Sequence, residues 1–183
     1  MGILSSSDSG NQSTEEKIES EEQQIIKHME KVNNKLGEAL VAEENLINAL
    51  EGDGSRDLIS QRLSDLEIYL EKDIDPKVET INSEINSMES LENKVDEKGR
   101  LTEDHRELVE FLEQIRDEII DEEQKLAELA EKANKLIRES EISNDDVLKK
   151  LRPIAVTEEK ESKDIHSKLE QAEEMEKQIV RNH

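Results

Sequence analysis

From residue 25 to residue 50 the side chains Ile25, Met29, Val32, Leu36, Ala39, Leu46 and Leu50 follow alternating steps of four and three, with one step skipped. Such spacing lays a single narrow stripe along a helix of 3.6 residues per turn, as wide as a coiled-coil seam. Glu43 stands at the skipped step; it and Asn34 are polar interruptions that can set a register. The stripe predicts a helix over 15–51. It ends at EGDGSRD, where Gly52 and Gly54 supply a turn and Ser55 or Asp57 can accept from the amides of the next helix.

A second stripe, Ile59, Leu63, Leu66, Leu70, Ile74, Val78, Ile81, Ile85, Met88, Leu91 and Val95, predicts a helix over 57–98, closed by Gly99. Pro76 lies inside it. Proline in a helix removes a hydrogen bond and crowds the preceding turn, at about 3 kcal/mol. Because the stripe reads as keeping its phase across Pro76, a kinked but continuous rod is expected, in preference to a brief break with Asp75 capping a fresh start. The third helix, 103–140, has Thr102 as N-cap, Glu103 and Asp104 at its positive end, and the stripe Leu108, Leu112, Ile115, Ile119, Leu126, Leu129, Ala133, Leu136. Ile142, Ser143, Asp146 and Val147 then resemble a hydrophobic staple around a capping box, with Asp in place of Glu. They open a short helix, 144–152, expected to break at Pro153. Thr157 can cap a last helix, 158–181, with the stripe Ile165, Leu169, Ala172, Met175, Ile179. Residues 1–14 (MGILSSSDSGNQST) lack a period after Leu4 and read as a disordered tail.

Stretches of near-equal length joined by short loops imply an all-α fold: an elongated antiparallel helical bundle, or coiled coil, of three to four long helices. Up-down-up-down is the direct solution; a three-helix bundle with the last segment loosely attached is its competitor. The central seam would be built from Ile25, Met29, Val32, Leu36, Leu66, Leu70, Ile81, Ile85, Leu108, Leu112, Ile115, Ile119, Ile165 and Leu169. DLEIYLEK and ELVEFLEQ align at a spacing of 42 and bring Tyr69 and Phe111 into register. As the only two aromatic residues, each ring is expected to fill a wide spot in the bundle.

Composition sharpens this picture. Charged residues make up 40% of the 183-residue chain and apolar ones 32%, which leaves no thick core but suits long helices packed side by side. The formal net charge of −23 repels phosphate and anionic headgroups, so direct nucleic-acid binding is not expected and membrane contact is disfavoured. Basic protein partners, or a salt-rich environment, fit better. Cysteine is absent, which removes disulfides and thiolate metal sites. No apolar run approaches the roughly 20 residues that span a bilayer. A cytoplasmic location is the default, and one peripheral to a membrane is the alternative. Met1–Ser6 matches the template for myristoylation at Gly2, but one acyl chain anchors weakly without a basic patch, and acidic residues follow here.

Catalytic and metal chemistry find little support. Di-iron bundles need Glu-x-x-His, yet Ile25, Thr102, Lys163 and Val180 precede the four histidines at that spacing. Asp164 with His166, and Glu103 with His105, diverge around a helix, so His105 and His166 are expected on solvated faces. An EF-hand reading from Asp53 fails at Leu58 and Ser64. Nucleophile elbows and phosphate loops are missing. Acid-rich runs such as TEEKIESEEQQ and DEEQKLAELAEK read as solvated faces with Glu–Lys pairs. VLKKLRP reads as a balance to Asp145, Asp146 and nearby Glu. No catalytic residue, metal or cofactor is expected. The expected work is that of a non-enzymatic structural, scaffold or adaptor coiled coil acting through protein partners or a second copy of itself. A membrane-associated scaffold using the N-terminal segment, or an acidic decoy for a basic nucleic-acid-binding surface, are the alternatives.

Overall fold

A computed structural model describes residues 2–96, 103–139, 141–155 and 158–181, with side chains over 16–94, 103–139, 141–155 and 163–181. The elements are α1 (Gly2–Glu51), α2 (Arg56–Ile68), a π-helical segment (Tyr69–Ile74), α3 (Asp75–Asp96), α4 (Glu103–Arg138), α5 (Asn144–Ala155) and α6 (Glu158–Arg181). No strand occurs among the described residues. They form an all-α bundle with four walls: α1, the α2–α3 rod, α4, and α5 followed by α6. Neighbouring walls run antiparallel. His28 of α1 meets Glu84 of α3 at 2.7 Å, and Gln23 of α1 donates to Glu176 of α6 at 3.3 Å. The parallel helices α1 and α4 face each other across the centre, and both touch the α2–α3 rod and α6. At about 1.5 Å per residue, α4 alone spans about 54 Å.

One buried cluster runs along this axis and holds every predicted seam residue, from Ile25 on α1 to Leu169 on α6. Burying such a side chain contributes about 1.5–3 kcal/mol. Because Ile165, Leu169, Ala172 and Ile179 belong to that cluster, the last helix is a wall of the bundle and not a loose attachment. Tyr69 and Phe111 only lean against the core, half-buried; neither fills its interior.

The α1–α2 turn is a Schellman motif. Gly54 N–H donates to Ala49 C=O at 2.8 Å and Asp53 N–H to Leu50 C=O at 3.3 Å. The left-handed position falls on Asp53 (φ 54°), not on either glycine. Gly54 is needed for a different reason: a Cβ there would lie 2.9 Å from the Ala49 carbonyl oxygen. Ser55 caps α2 through Leu58 N–H at 3.2 Å, and Ser143 caps α5 through Asp146 N–H at 3.2 Å. The two turns at this end are tied together. Asn144 donates to Gly54 C=O at 3.0 Å, and the Arg56 guanidinium donates to the carbonyls of Ile137 in the last turn of α4 and of Ile142 beyond it. Arg152 pairs with Glu51 on α1 at 2.6 Å, rather than with the acids at the start of its own helix.

The structure departs from the sequence reading in several places. The backbone of α1 begins at Gly2, where a tail was expected; nothing in 2–14 breaks a helix already propagating from Glu15, since each further residue adds a bond without a new nucleus. α5 continues through Pro153 to Ala155. Proline's defect is a single lost bond and a local clash, which the final turn of a helix can absorb. Pro76 follows directly on the π-helical segment, in which the Asp75 N–H reaches back five residues to Leu70 C=O. The apolar steps there read Leu66, Leu70, Ile74, Val78, three fours in succession, which is one residue more than a heptad allows. A wider π turn takes up the extra residue and keeps the stripe on the core. Gly99, Thr102 and Thr157 lie outside the described residues.

Candidate functional site

Four of the buried polar side chains among the described residues gather in one cross-section near Glu22. Each wall contributes one: Glu22 from α1, Glu92 from α3, His105 from α4 and Glu176 from α6, all buried. Each occupies a heptad core position. Glu22 sits between Ile18 and Ile25, Glu92 follows Met88, His105 precedes Leu108, and Glu176 stands between Ala172 and Ile179. His105 Nδ1 and Glu22 Oε1 are 2.7 Å apart, with the two residues 3% and 0% exposed. Gln23 holds Glu176 from the outer side of the same helix pair.

Apolar walls reshape the acidity of this layer. Burial pushes the Glu22 carboxyl up to about 7 and Glu92 up to about 7, the latter against the opposing pull of His105. Burial, reinforced by the neighbouring Glu22 carboxyl, pushes Glu176 up to about 9. Acid pairs recur between walls farther along the rod. A hydrogen bond with the Glu173 carboxyl, then burial, raises Glu30 to about 7; one with Glu89, then burial, raises Glu113 to about 7. Burial, then the Asp75 carboxyl, raises Glu123 to about 8. The folded chain therefore carries less negative charge at neutral pH than its formal −23.

This layer corrects the sequence reading of His105, which is buried and not solvated; His166 is exposed and pairs with Glu170 at 3.1 Å. Glu176 and Glu92 take the core positions assigned to Met175 and Leu91, which are half-buried. Glu22 and Glu122 are buried inside acid-rich runs read as solvated faces. Glu43 is buried where the stripe skips a step, whereas Asn34 is exposed and its neighbour Asn33 is buried. The signal for these residues was present in the three–four count. An apolar filter steps over a polar residue at a core position, or slides to the nearest apolar neighbour, and so loses it.

The layer can hold protons on its three carboxyls, Glu22, Glu92 and Glu176, and it joins all four walls at one level. Among the described residues no group of three or more His, Cys, Asp or Glu is placed to hold a metal ion, and no helix is long and apolar enough to cross a membrane. Gly2 is the first residue of α1, and side chains are described only from Glu16, so its modification template stands as a sequence signal alone. No protein-family model, curated protein or solved structure matches the chain.

Proposed function

We propose that this chain is a non-enzymatic scaffold or adaptor that works by helix-mediated protein–protein contact, and that its partner presents a basic amphipathic helix. The observation that carries this reading is a groove of about 520 Å³ between α1 and α2, bordered by Val41, Ile68 and Tyr69. Val41 is 55% exposed and Ile68 45%, so two large aliphatic side chains flank one concave strip in water. Glu38, Asp65 and Asp73 edge that strip. The nearby cations are engaged locally: Lys35 with Glu38 at 3.1 Å and Arg62 with Asp65 at 3.9 Å. Two exposed aliphatic side chains set among the carboxylates of Glu38, Asp65 and Asp73 complement an apolar stripe flanked by Lys or Arg.

Gly37, one turn before Val41, lines the neighbouring groove between α1 and α5, which shares Val41 with this one. A glycine inside a helix costs about 1 kcal/mol relative to alanine. A Cβ built there meets nothing within 4 Å, so no contact inside the chain calls for it; a helix crossing closely at this point would. The non-enzymatic half of the reading draws on the polar layer, in which Glu22 and His105 are engaged with each other and buried between helices.

The test is an NMR titration of the whole protein with an 18-residue Leu/Lys helical peptide, beside a permuted peptide of the same composition without a stripe. Shifts centred on Val41, Ile68 and Tyr69, and at least tenfold weaker binding to Val41→Asp/Ile68→Asp, are expected. Equal binding of both peptides would leave only bulk charge attraction, which salt abolishes, and would favour the decoy reading. Flotation with vesicles would favour the membrane scaffold instead.

A further inference from the structure

We propose that the polar layer is a proton-operated latch that holds α6 against α1 and lets α6 swing out when its proton is lost. The geometry singles out α6. Its seam consists of Ile165, Leu169, Ala172 and Ile179, with the carboxyl of Glu176 set among them. By contrast, α4 commits Leu108, Leu112, Ile115, Ile119, Leu126, Leu129 and Leu136 to the same core. Among the described side chains α6 thus commits fewer aliphatic groups to the core than α4 does, and a titratable group interrupts its stripe. A second acid pair, Glu30 with Glu173, crosses the same α1–α6 seam, and both residues line one cleft. Loss of protons therefore sets like charges across this seam at two levels.

The neighbours act in both directions. On α1, Glu19 adds to the repulsion, while the Gln23 amide supports an ionised Glu176. Glu92 of α3 also repels, with Glu89 of α3 and Glu113 of α4 behind it, and His105 and Arg106 of α4 oppose them. Lys27, Lys177 and Arg181 line the outer groove beside Glu173 and Glu176 and moderate the repulsion. The direction is set by burial. A free glutamate loses its proton near 4.5, whereas Glu22 keeps its own to about 7 and Glu176 to about 9. The proton's stabilisation is complete below 4.5 and fades as pH climbs through 7 to 9. Closed is the acid form and open the alkaline one. Opening bares the apolar seams of α1 and α4, a surface that a partner helix can occupy.

The chain has no cysteine, so spin labels can be placed without background. Gln24 and Gln178 are exposed on α1 and α6, and Ser87 is exposed on α3. Pulsed dipolar spectroscopy on Gln24→Cys/Gln178→Cys should give one short distance at pH 6 and, at pH 9, a long, broad population at least fivefold larger. Gln24→Cys/Ser87→Cys should not change. Adding Glu176→Gln, whose amide stays neutral, should hold the short distance at pH 9; Glu22→Gln provides the same check if that variant folds poorly. An α1–α6 distance that ignores pH overturns the latch. So does a control pair that opens in parallel, or a Glu176→Gln protein that opens at the wild-type pH.

Discussion

At the scale of single residues, the α1–α2 turn shows two glycines and one aspartate in roles that differ from their reputation. Gly52 and Gly54 announce a turn in the sequence, yet the left-handed residue between them is Asp53. A non-glycine residue in that conformation gives up about 1 kcal/mol or more. Asp53→Gly should therefore raise the unfolding free energy measured in urea by up to about 1 kcal/mol, less whatever the 3.3 Å bond from Asn144 to Asp53 contributes. Gly54→Ala should lower it by about 1–3 kcal/mol, because the new methyl meets a backbone oxygen that cannot turn away. Opposite signs at adjacent positions make the pair a sharp check; like signs would mean that the turn is built another way. The sequence announced the turn through composition. Which residue adopts the unusual φ depends on where the last helical bond closes, and the residue types alone do not encode that.

At the scale of elements, the α2–α3 rod carries the most informative irregularity. Three consecutive steps of four were legible in the sequence as a surplus residue, although Pro76 drew the reading toward a kink. The π-helical segment accommodates both. Its backbone already forgoes regular i to i−4 bonding just before the proline, so Pro76 removes little that the helix would have kept. Pro76→Ala should change the unfolding free energy by less than about 1 kcal/mol, against the roughly 3 kcal/mol of a proline in a regular helix interior. A gain near the larger figure in chemical denaturation would show that the proline, not the surplus residue, forces the wider turn. Pro153, in the final turn of α5, shows the same tolerance in a different setting.

At the scale of the whole molecule, fold class was the most legible property, because heptad spacing, scarce aromatics and short loops all pointed to one solution. The polar layer was not, since it joins residues from four walls and no single stretch shows more than one of them. It has a measurable consequence for the entire bundle. With Glu22, Glu92 and Glu176 raised above the usual carboxylate range, the native state binds protons that the unfolded chain releases. Stability then falls as pH rises. The melting temperature should drop by about 5 °C or more between pH 5.5 and 9, and Glu176→Gln should remove much of the drop. A curve that rises over this range would contradict the layer's protonation. Deleting residues 157–183 should leave an exposed apolar seam and give an oligomer or a loss of helicity, read by light scattering and circular dichroism. A compact, fully helical monomer would rule out the four-walled core. The up-down-up-down order also has a mechanical consequence. The start of α1 and the end of α6 point out of the same end of the rod, with α6 ending close past Glu176 and α1 running on about 30 Å beyond Glu22. Tension applied between them pulls across the α1–α6 seam rather than along it. Such a load opens contacts one turn at a time, as a zip does, and meets Glu22 and Glu176 early, so the rod should yield at low force when pulled by its ends and resist when pulled lengthwise.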